Sequence, residues 1–221
     1  SQNAVSAILT ASQSLLSSLS INSFMDEGYI KFTSDLLEAP APDTIYTSKL
    51  DDWRKRLHDL SLIGEYPNGI GFGNLSRRFN SRSFIISASG TGGKVDLTPE
   101  DYVLVTEFDI RTNYLASKGQ HHPSSESLTH GVIYNTLPDV RCIMHVHDAK
   151  LWTAYKNILP TTAEHIPYGT PEMAKEVKRM ITSFSPRSAQ VIVMGGHEEG
   201  VIVFGRSVDI TGQRLIKLVN A

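Results

Sequence analysis

Two histidines separated by one residue, His145 and His147, are the first candidates for chemistry in the sequence. They lie where the apolar run VRCIMHV at 140–146 ends and a helix is predicted to begin at Asp148. Because side chains alternate across a strand, the two imidazoles would share one face, where they can chelate a transition metal. Such a pair also arises by chance among eight histidines, so it gains meaning only with a further ligand.

A third histidine, His197, lies in the loop GGHEEG between two short apolar strands. A catalytic zinc site usually has three protein ligands and one open position. Glycines on both sides of His197 allow backbone and ligand to approach closely. The alternative is a solvent-exposed hairpin tip, which the carboxylates of Glu198 and Glu199 fit equally well.

Three polar segments are candidates for binding an anion. PSSE at 123–126 opens a predicted helix, whose free N–H groups and dipole favour negative charge. Taken alone, this segment is better interpreted as a helix cap. The glycine-rich stretch at 87–93 offers backbone N–H groups to a phosphate or carboxylate, or forms a loose hairpin turn. The turn GNLS at 73–76 is equally ambiguous.

Composition argues against several classes of partner. The formal net charge is -2 and there is no basic tail or cluster, so no nucleic-acid partner is expected. The Ser-rich stretch at 1–25 has no window near the roughly 20 apolar residues of a membrane helix. It is predicted to form an amphipathic helix at about 3–20. Cys142, the only cysteine, lies in an apolar run and favours a reducing, cytoplasmic compartment.

Strands alternate with helices, and several neighbouring strands resemble hairpins. The pattern predicts a mixed sheet with helices on both faces, in one α/β domain at 47–221 preceded by an arm and Pro-containing linker at 1–46. The predicted strands are 29–32, 74–79, 83–89, 102–108, 140–146, 190–194 and 200–205. After the arm, the predicted helices are 48–63, 124–137, one from Asp148, one from Thr170 to about 184, and 207–220.

The order of the motifs resembles that of the class II aldolase/adducin family. The segments GFGNLS at 71–76, SASG at 87–90, PSSE at 123–126, MHVH at 144–147 and GGH at 195–197 follow the family order. The resemblance covers residues from about 48 to 218, and the Glu126-to-His145 spacing is similar to that of the fuculose-phosphate aldolase branch. It implies a three-layer α/β/α fold with a central mixed, largely antiparallel sheet. It also implies a homo-oligomer, often a tetramer with sites at subunit interfaces.

The resemblance also implies roles for residues. His145, His147 and His197 would bind Zn²⁺ or another divalent transition metal, and Glu126 would be the catalytic acid/base. The pocket for a substrate phosphate would comprise Gly73, Asn74, Ser89, Gly90, Ser124 and Ser125.

The activity implied by the resemblance is that of a zinc-dependent aldolase or lyase. It would act on a small hydroxy-ketone or sugar phosphate through a metal-stabilised enediolate. The alternatives are a related epimerase, dehydratase or decarboxylase using the same site, or a non-catalytic, adducin-like interaction module.

The chain departs from the family pattern at several positions. The loop after His147 is shorter, and Tyr168 is a candidate to replace a tyrosine that a neighbouring subunit supplies in known aldolases. Glu198 and Glu199 are candidates for an extra ligand or a second acid/base. In the dehydratase branch the acid/base follows the H-x-H motif, where Glu164 is the only nearby candidate. The arm would pack on a neighbouring subunit.

Overall fold

The computed structural model describes residues 29–183 and 190–221. The predicted helix at 3–20 therefore lies outside the described residues. In chain order the elements are β1 (Thr33–Glu38), α1 (Thr44–Asp59), β2 (Gly64–Glu65), β3 (Gly71–Phe72), β4 (Asn74–Arg78), β5 (Phe84–Ser87), β6 (Tyr102–Asp109), β7 (Tyr114–Gly119), α2 (Ser127–Thr136), β8 (Cys142–His147), α3 (Ala149–Tyr155), α4 (Pro171–Ser183), β9 (Val191–Val193), β10 (Gly200–Gly205) and α5 (Val208–Val219).

Eight strands form one sheet in the order β1-β7-β6-β5-β4-β8-β10-β9. Only the β1–β7 pair is parallel, and every other pair in this sheet is antiparallel. β2 and β3 form a separate small hairpin. The sheet has helices on both faces, which confirms the predicted three-layer α/β/α fold with a mixed, largely antiparallel sheet.

Alternation along the strands divides the core into two clusters, one on each face. In β8, Ile143 packs in the cluster that contains residues of α2 and α4. Its neighbours Cys142 and Met144 pack in the cluster that contains residues of α1, α3 and α5. Burial raises the pKa of the Cys142 thiol to about 12, as expected for a small buried hydrophobe. His145 and His147 share the parity of Ile143 and face the α2 side of the sheet.

The first two elements of the fold begin at other positions than predicted. The strand predicted at 29–32 is wrong, because pairing with β7 starts at Thr33. As an edge strand, β1 alternates partly buried and exposed residues and lacks the continuous apolar run that marks a central strand. α1 begins at Thr44, after Asp43 caps the backbone N–H of Ile45. The predicted division at residue 46 stays a prediction.

The end of α1 also differs from the prediction, because Ile63 lies in the core but not in the helix. Leu60 caps α1, and Ser61 takes a left-handed conformation with φ 58°. The Leu62 N–H then returns to the Leu57 carbonyl at 2.9 Å. This reversal ends the helix and buries Leu62 and Ile63 beneath the sheet.

The elements from β4 onward otherwise follow the predicted pattern within a few residues, although β7 was not predicted. No helix within 29–183 or 190–221 is long and apolar enough to cross a membrane.

A substitution at Gly212 of α5 tests the packing between α1 and α5. Alanine normally favours a helix interior by about 1 kcal/mol over glycine, but a Cβ at position 212 would overlap the ring of Trp53. We therefore expect Gly212→Ala to lower the free energy of unfolding by about 1–3 kcal/mol, measured by urea denaturation. Gln213→Ala, at an exposed position of the same helix, should change it by less than about 0.5 kcal/mol. A more stable Gly212→Ala protein would contradict the packing described.

Candidate metal centre

The three candidate ligands come together on one face of the sheet. His145 and His147 project from β8, and His197 comes from the turn that precedes β10. Each offers one nitrogen, and these three nitrogens lie within 4.8 Å of one another. The Nε2 atoms of His145 and His147 are 3.1 Å apart. All three side chains are buried, so His197 does not lie at an exposed hairpin tip.

Close backbone packing positions the turn that carries His197. The His197 N–H donates to the Met194 carbonyl, and the Gly200 N–H donates to the His197 carbonyl at 2.9 Å. A Cβ at Gly195 or Gly196 would overlap a carbonyl oxygen of the neighbouring 160–167 loop. Both glycines are therefore required for the loop to approach so closely.

The electrostatics of the cluster keep all three imidazoles neutral. Burial lowers the pKa of His145 and His147 well below its ordinary value, and the neighbouring His197 lowers it further. Burial, followed by the positive charge of Lys31, lowers the pKa of His197 to about 3. A neutral imidazole keeps a lone pair for a metal.

These three residues fit a divalent transition metal. The Nδ1–H of His145 donates to the Val201 carbonyl at 3.3 Å, because a carbonyl only accepts; its Nε2 lone pair therefore points into the cluster. Two nitrogens bound tetrahedrally at about 2.0–2.1 Å from zinc would be about 3.3 Å apart, close to the 3.1 Å found here. Three buried imidazoles with converging nitrogens suit Zn²⁺ or a similar ion.

Glu126 lies beside this cluster at the start of α2. Its Oε1 atom is 3.8 Å from Nδ1 of His197, and its side chain is only 2% exposed. Glu126 occupies the N-cap position, yet its side chain makes no capping hydrogen bond. The simple cap proposed for PSSE therefore does not account for this carboxylate, which is placed at the candidate metal centre.

A cleft of about 380 Å³, part of it open to solvent, lies next to the cluster. Its walls include Glu126, His145 and His197, whereas His147 is not among its lining residues. The cleft brings together all six residues predicted for the phosphate pocket. They are Gly73, Asn74, Ser89, Gly90, Ser124 and Ser125. The structure therefore places the six residues around one cleft. Their role in binding phosphate stays a prediction.

Strand pairing explains how these distant segments meet. Asn74 pairs with His145 across β4 and β8, and Gly73 reaches that position with φ +78°. An isolated bridge joins Ala88 to Pro123, and the Ser89 N–H donates to the His122 carbonyl at 2.9 Å.

The remaining candidate residues differ in whether they lie at the cleft. Tyr168 lines the cleft and its ring lies over His197, with centroids 4.2 Å apart. Glu164 is on the surface, with a 70% exposed side chain ion-paired to Lys156. Glu198 is exposed, and Glu199 accepts a hydrogen bond from Tyr66 at 2.9 Å.

Two residues at the site were missed by sequence reasoning. Tyr66, in the 66–69 turn, has its hydroxyl 2.9 Å from Nδ1 of His147, and no pattern in the turn indicates this. Arg54 of α1 is buried and donates to the carbonyls of Thr91, Gly92 and Val95, which holds the glycine-rich loop. Its position on the apolar face of α1, between Leu50 and Leu57, was a usable signal.

Comparison with known families agrees with this fold. The model of the Class II Aldolase and Adducin N-terminal domain matches residues 68–221. The chain therefore belongs to this family.

Among individual relatives, several are named methylthioribulose-1-phosphate dehydratase. That of Cronobacter sakazakii is 36% identical over 110 residues, which span only 50% of this chain and 50% of the relative. That of Leptospira biflexa is 30% identical over 62% of this chain and 77% of its own length. That of Gluconacetobacter diazotrophicus is 26% identical over 75% of this chain and 89% of its own length.

Solved structures share the fold at lower identity. L-fuculose 1-phosphate aldolase superimposes with a TM-score of 0.60 at 21% identity, covering 81% of this chain and 84% of that chain. A sugar-phosphate aldolase from Thermotoga maritima gives a TM-score of 0.57 at 16% identity, covering 80% of this chain and 94% of that chain.

Metal content tests the three-histidine cluster. We expect the purified chain to hold about one divalent ion, and His145→Ala or His197→Ala to lose it, because two imidazoles rarely retain a catalytic metal. Metal is measured by mass spectrometry of the elements after dialysis against zinc. His165→Ala removes an exposed histidine and should keep the wild-type stoichiometry. Equal metal content in all variants would contradict the assignment of the ligands.

Proposed function

We propose that this chain is a metal-dependent lyase that eliminates water from a phosphorylated hydroxy-ketone. The observation that carries the metal-dependent lyase activity is the position of Glu126, a buried carboxylate 3.8 Å from an imidazole of the three-histidine cluster and in the wall of the same cleft. The relatives named methylthioribulose-1-phosphate dehydratase support elimination of water as the reaction.

The cleft suits a phosphate bound by neutral donors. Its lining within the described residues contains hydroxyl, amide and glycine backbone groups but no lysine or arginine. Ser124 and Ser125 precede the N-terminus of α2, where the helix dipole favours an anion. Backbone N–H groups around Gly90 can complete the binding of phosphate oxygens.

The metal and Glu126 have separate tasks. A divalent ion held by His145, His147 and His197 supplies, when bound, a Lewis acid that polarises a substrate carbonyl. Glu126 takes the proton from the carbon next to that carbonyl. Protonated Glu126 then returns the proton to the hydroxyl on the following carbon, which leaves as water while a carbon–carbon double bond forms. The carboxylate is regenerated at the end of the step.

Aldol cleavage is the second candidate, and the position of the acid/base favours it. Glu126, which precedes the H-x-H pair, lies in the cleft, whereas Glu164, which follows it, points to solvent. In cleavage, Glu126 accepts the proton of a substrate hydroxyl while the adjacent carbon–carbon bond breaks and its electrons move toward the carbonyl. Protonated Glu126 then gives that proton to the carbon of the resulting enolate, which yields the second carbonyl compound and regenerates the carboxylate. The phosphate pocket serves both reactions through remote binding energy.

A substrate screen distinguishes these reactions. The zinc-loaded protein is incubated with ketose phosphates and with the matching unphosphorylated ketoses, and products are identified by mass spectrometry. Elimination gives one product that has lost a water, and cleavage gives two smaller carbonyl compounds. We expect turnover only of the phosphorylated compounds. A protein that holds zinc yet converts none of them would favour the non-catalytic, adducin-like alternative.

Assembly into a homotetramer is part of the same proposal, and light scattering of the purified full chain tests it. A monomer in solution would contradict this part of the proposal.

Glu126→Gln separates proton transfer from metal binding. The amide is nearly isosteric but cannot accept a proton, so turnover should fall by about 10²–10⁴-fold while zinc content stays at the wild-type level. Glu164→Gln, at the exposed position, is the matched control and should keep full turnover. Full activity of Glu126→Gln would assign the proton transfer to another group.

A further inference from the structure

We propose that Tyr66 and Glu199 are positioning residues that hold His147 in the one tautomer able to bind a metal through Nε2. The inference rests on the metal centre of the proposed function. It concerns a hydrogen-bonded chain outside the cleft, Glu199–Tyr66–His147, in which each contact is 2.9 Å long.

The direction of these hydrogen bonds follows from counting protons. The Tyr66 hydroxyl carries one proton, and a carboxylate oxygen can only accept. That proton therefore points to Oε2 of Glu199. The Tyr66 oxygen must then accept at its other contact, so the proton of the neutral His147 ring lies on Nδ1.

This assignment leaves the lone pair of His147 on Nε2. Nε2 is the atom that lies 3.1 Å from Nε2 of His145, whose own Nδ1 donates to the Val201 carbonyl. Both rings of the H-x-H pair therefore present the same nitrogen to the same point. The acceptors differ, a backbone carbonyl for His145 and a tyrosine hydroxyl for His147, but both place the ring proton on Nδ1.

The β2–β3 hairpin delivers Tyr66 to this position. The Tyr66 N–H donates to the Ile70 carbonyl, and the Gly69 N–H returns to the Tyr66 carbonyl, both at 2.9 Å. Phe72 packs against Tyr66 and His147, with ring centroids 4.5 Å and 5.3 Å away. The turn that carried no recognisable motif therefore presses two aromatic rings against one candidate ligand.

Glu199 reaches Tyr66 at a conformational cost. Its φ is +66°, a left-handed conformation that glycine adopts far more readily than glutamate. The Glu199 carbonyl accepts from the Asp148 N–H at 3.0 Å, which fixes the residue next to the end of β8. A carboxylate held at a strained position and bonded to a ligand-contacting hydroxyl indicates a use for the side chain. Glu198, one residue earlier, is exposed.

A partner on the second nitrogen of a histidine ligand orients the ring and raises the basicity of the ligating nitrogen. Tyr66 supplies that partner and Glu199 polarises it. Neither side chain is among the residues that line the cleft, so their effect on the reaction would be indirect.

Tyr66→Phe tests the chain of hydrogen bonds, since it removes the hydroxyl and keeps the ring that packs on Phe72. We expect the zinc dissociation constant, measured by competition with a chromophoric chelator, to rise by about 10–100-fold. In the metal-free protein, ¹⁵N NMR of the His147 ring should change from an Nδ1–H tautomer to a mixture. Glu199→Gln should weaken zinc binding in the same direction, and the double variant should be less than additive.

Glu198→Gln is the matched control, because it removes the same charge one residue away, and it should bind zinc as the wild type does. Unchanged zinc affinity and an unchanged His147 tautomer in Tyr66→Phe would overturn the proposal. If Tyr66→Phe loses its folded structure, judged by its thermal transition, Glu199→Gln alone decides, and wild-type affinity in that variant overturns the proposal. A wild-type chain that binds no zinc would defeat the proposed function instead, while the tautomer in metal-free protein would still report on Tyr66.

Discussion

The register of β8 against its two neighbours is the constraint on which the site depends. Asn74 of β4 lies opposite His145, and Gly200 of β10 lies opposite His147. A slip of one residue would turn both histidines to the other face of the sheet, away from Glu126 at the start of α2. The apolar residues Ile143 and Met144, buried in opposite cores, prevent that slip, so the packing of the sheet also fixes the chemistry.

The candidate metal centre concentrates several buried polar side chains in one place. His145, His147, His197 and Glu126 are each at most 5% exposed, although removing polar groups from water carries a desolvation cost. A fold that was optimised only for stability would place apolar side chains there. The cost is offset by the two apolar cores on either side of the sheet, and the buried groups gain strong, directed interactions in a medium of low dielectric constant.

Sequence reasoning succeeded where a residue's role follows from local periodicity or from motif order. The H-x-H pair on one face of a strand, the helix start at PSSE and the alternation of strands with helices all predicted features that the structure contains. It failed where the role depends on partners distant in the chain. Tyr66 meets His147 only because the β2–β3 hairpin folds back, and the edge strand β1 is defined by its pairing with β7. Neither β1 nor β7 carries a strong apolar pattern, since one face of each is only partly covered.

Because the turn around His197 is closely packed, the two walls of the cleft differ in how readily their glycines can be replaced by other residues. On the histidine side, any side chain at Gly195 or Gly196 would collide with backbone carbonyls, and one at Gly200 would crowd the rings of His145 and His197. On the opposite wall, a side chain at Gly90 would meet nothing within 4 Å, although the left-handed backbone there favours asparagine or aspartate over bulkier residues. Divergence in the lining of the cleft should therefore accumulate at position 90, because a side chain at Gly92 of the same loop would overlap the Gly64 carbonyl oxygen, while the turn that holds the third histidine stays fixed.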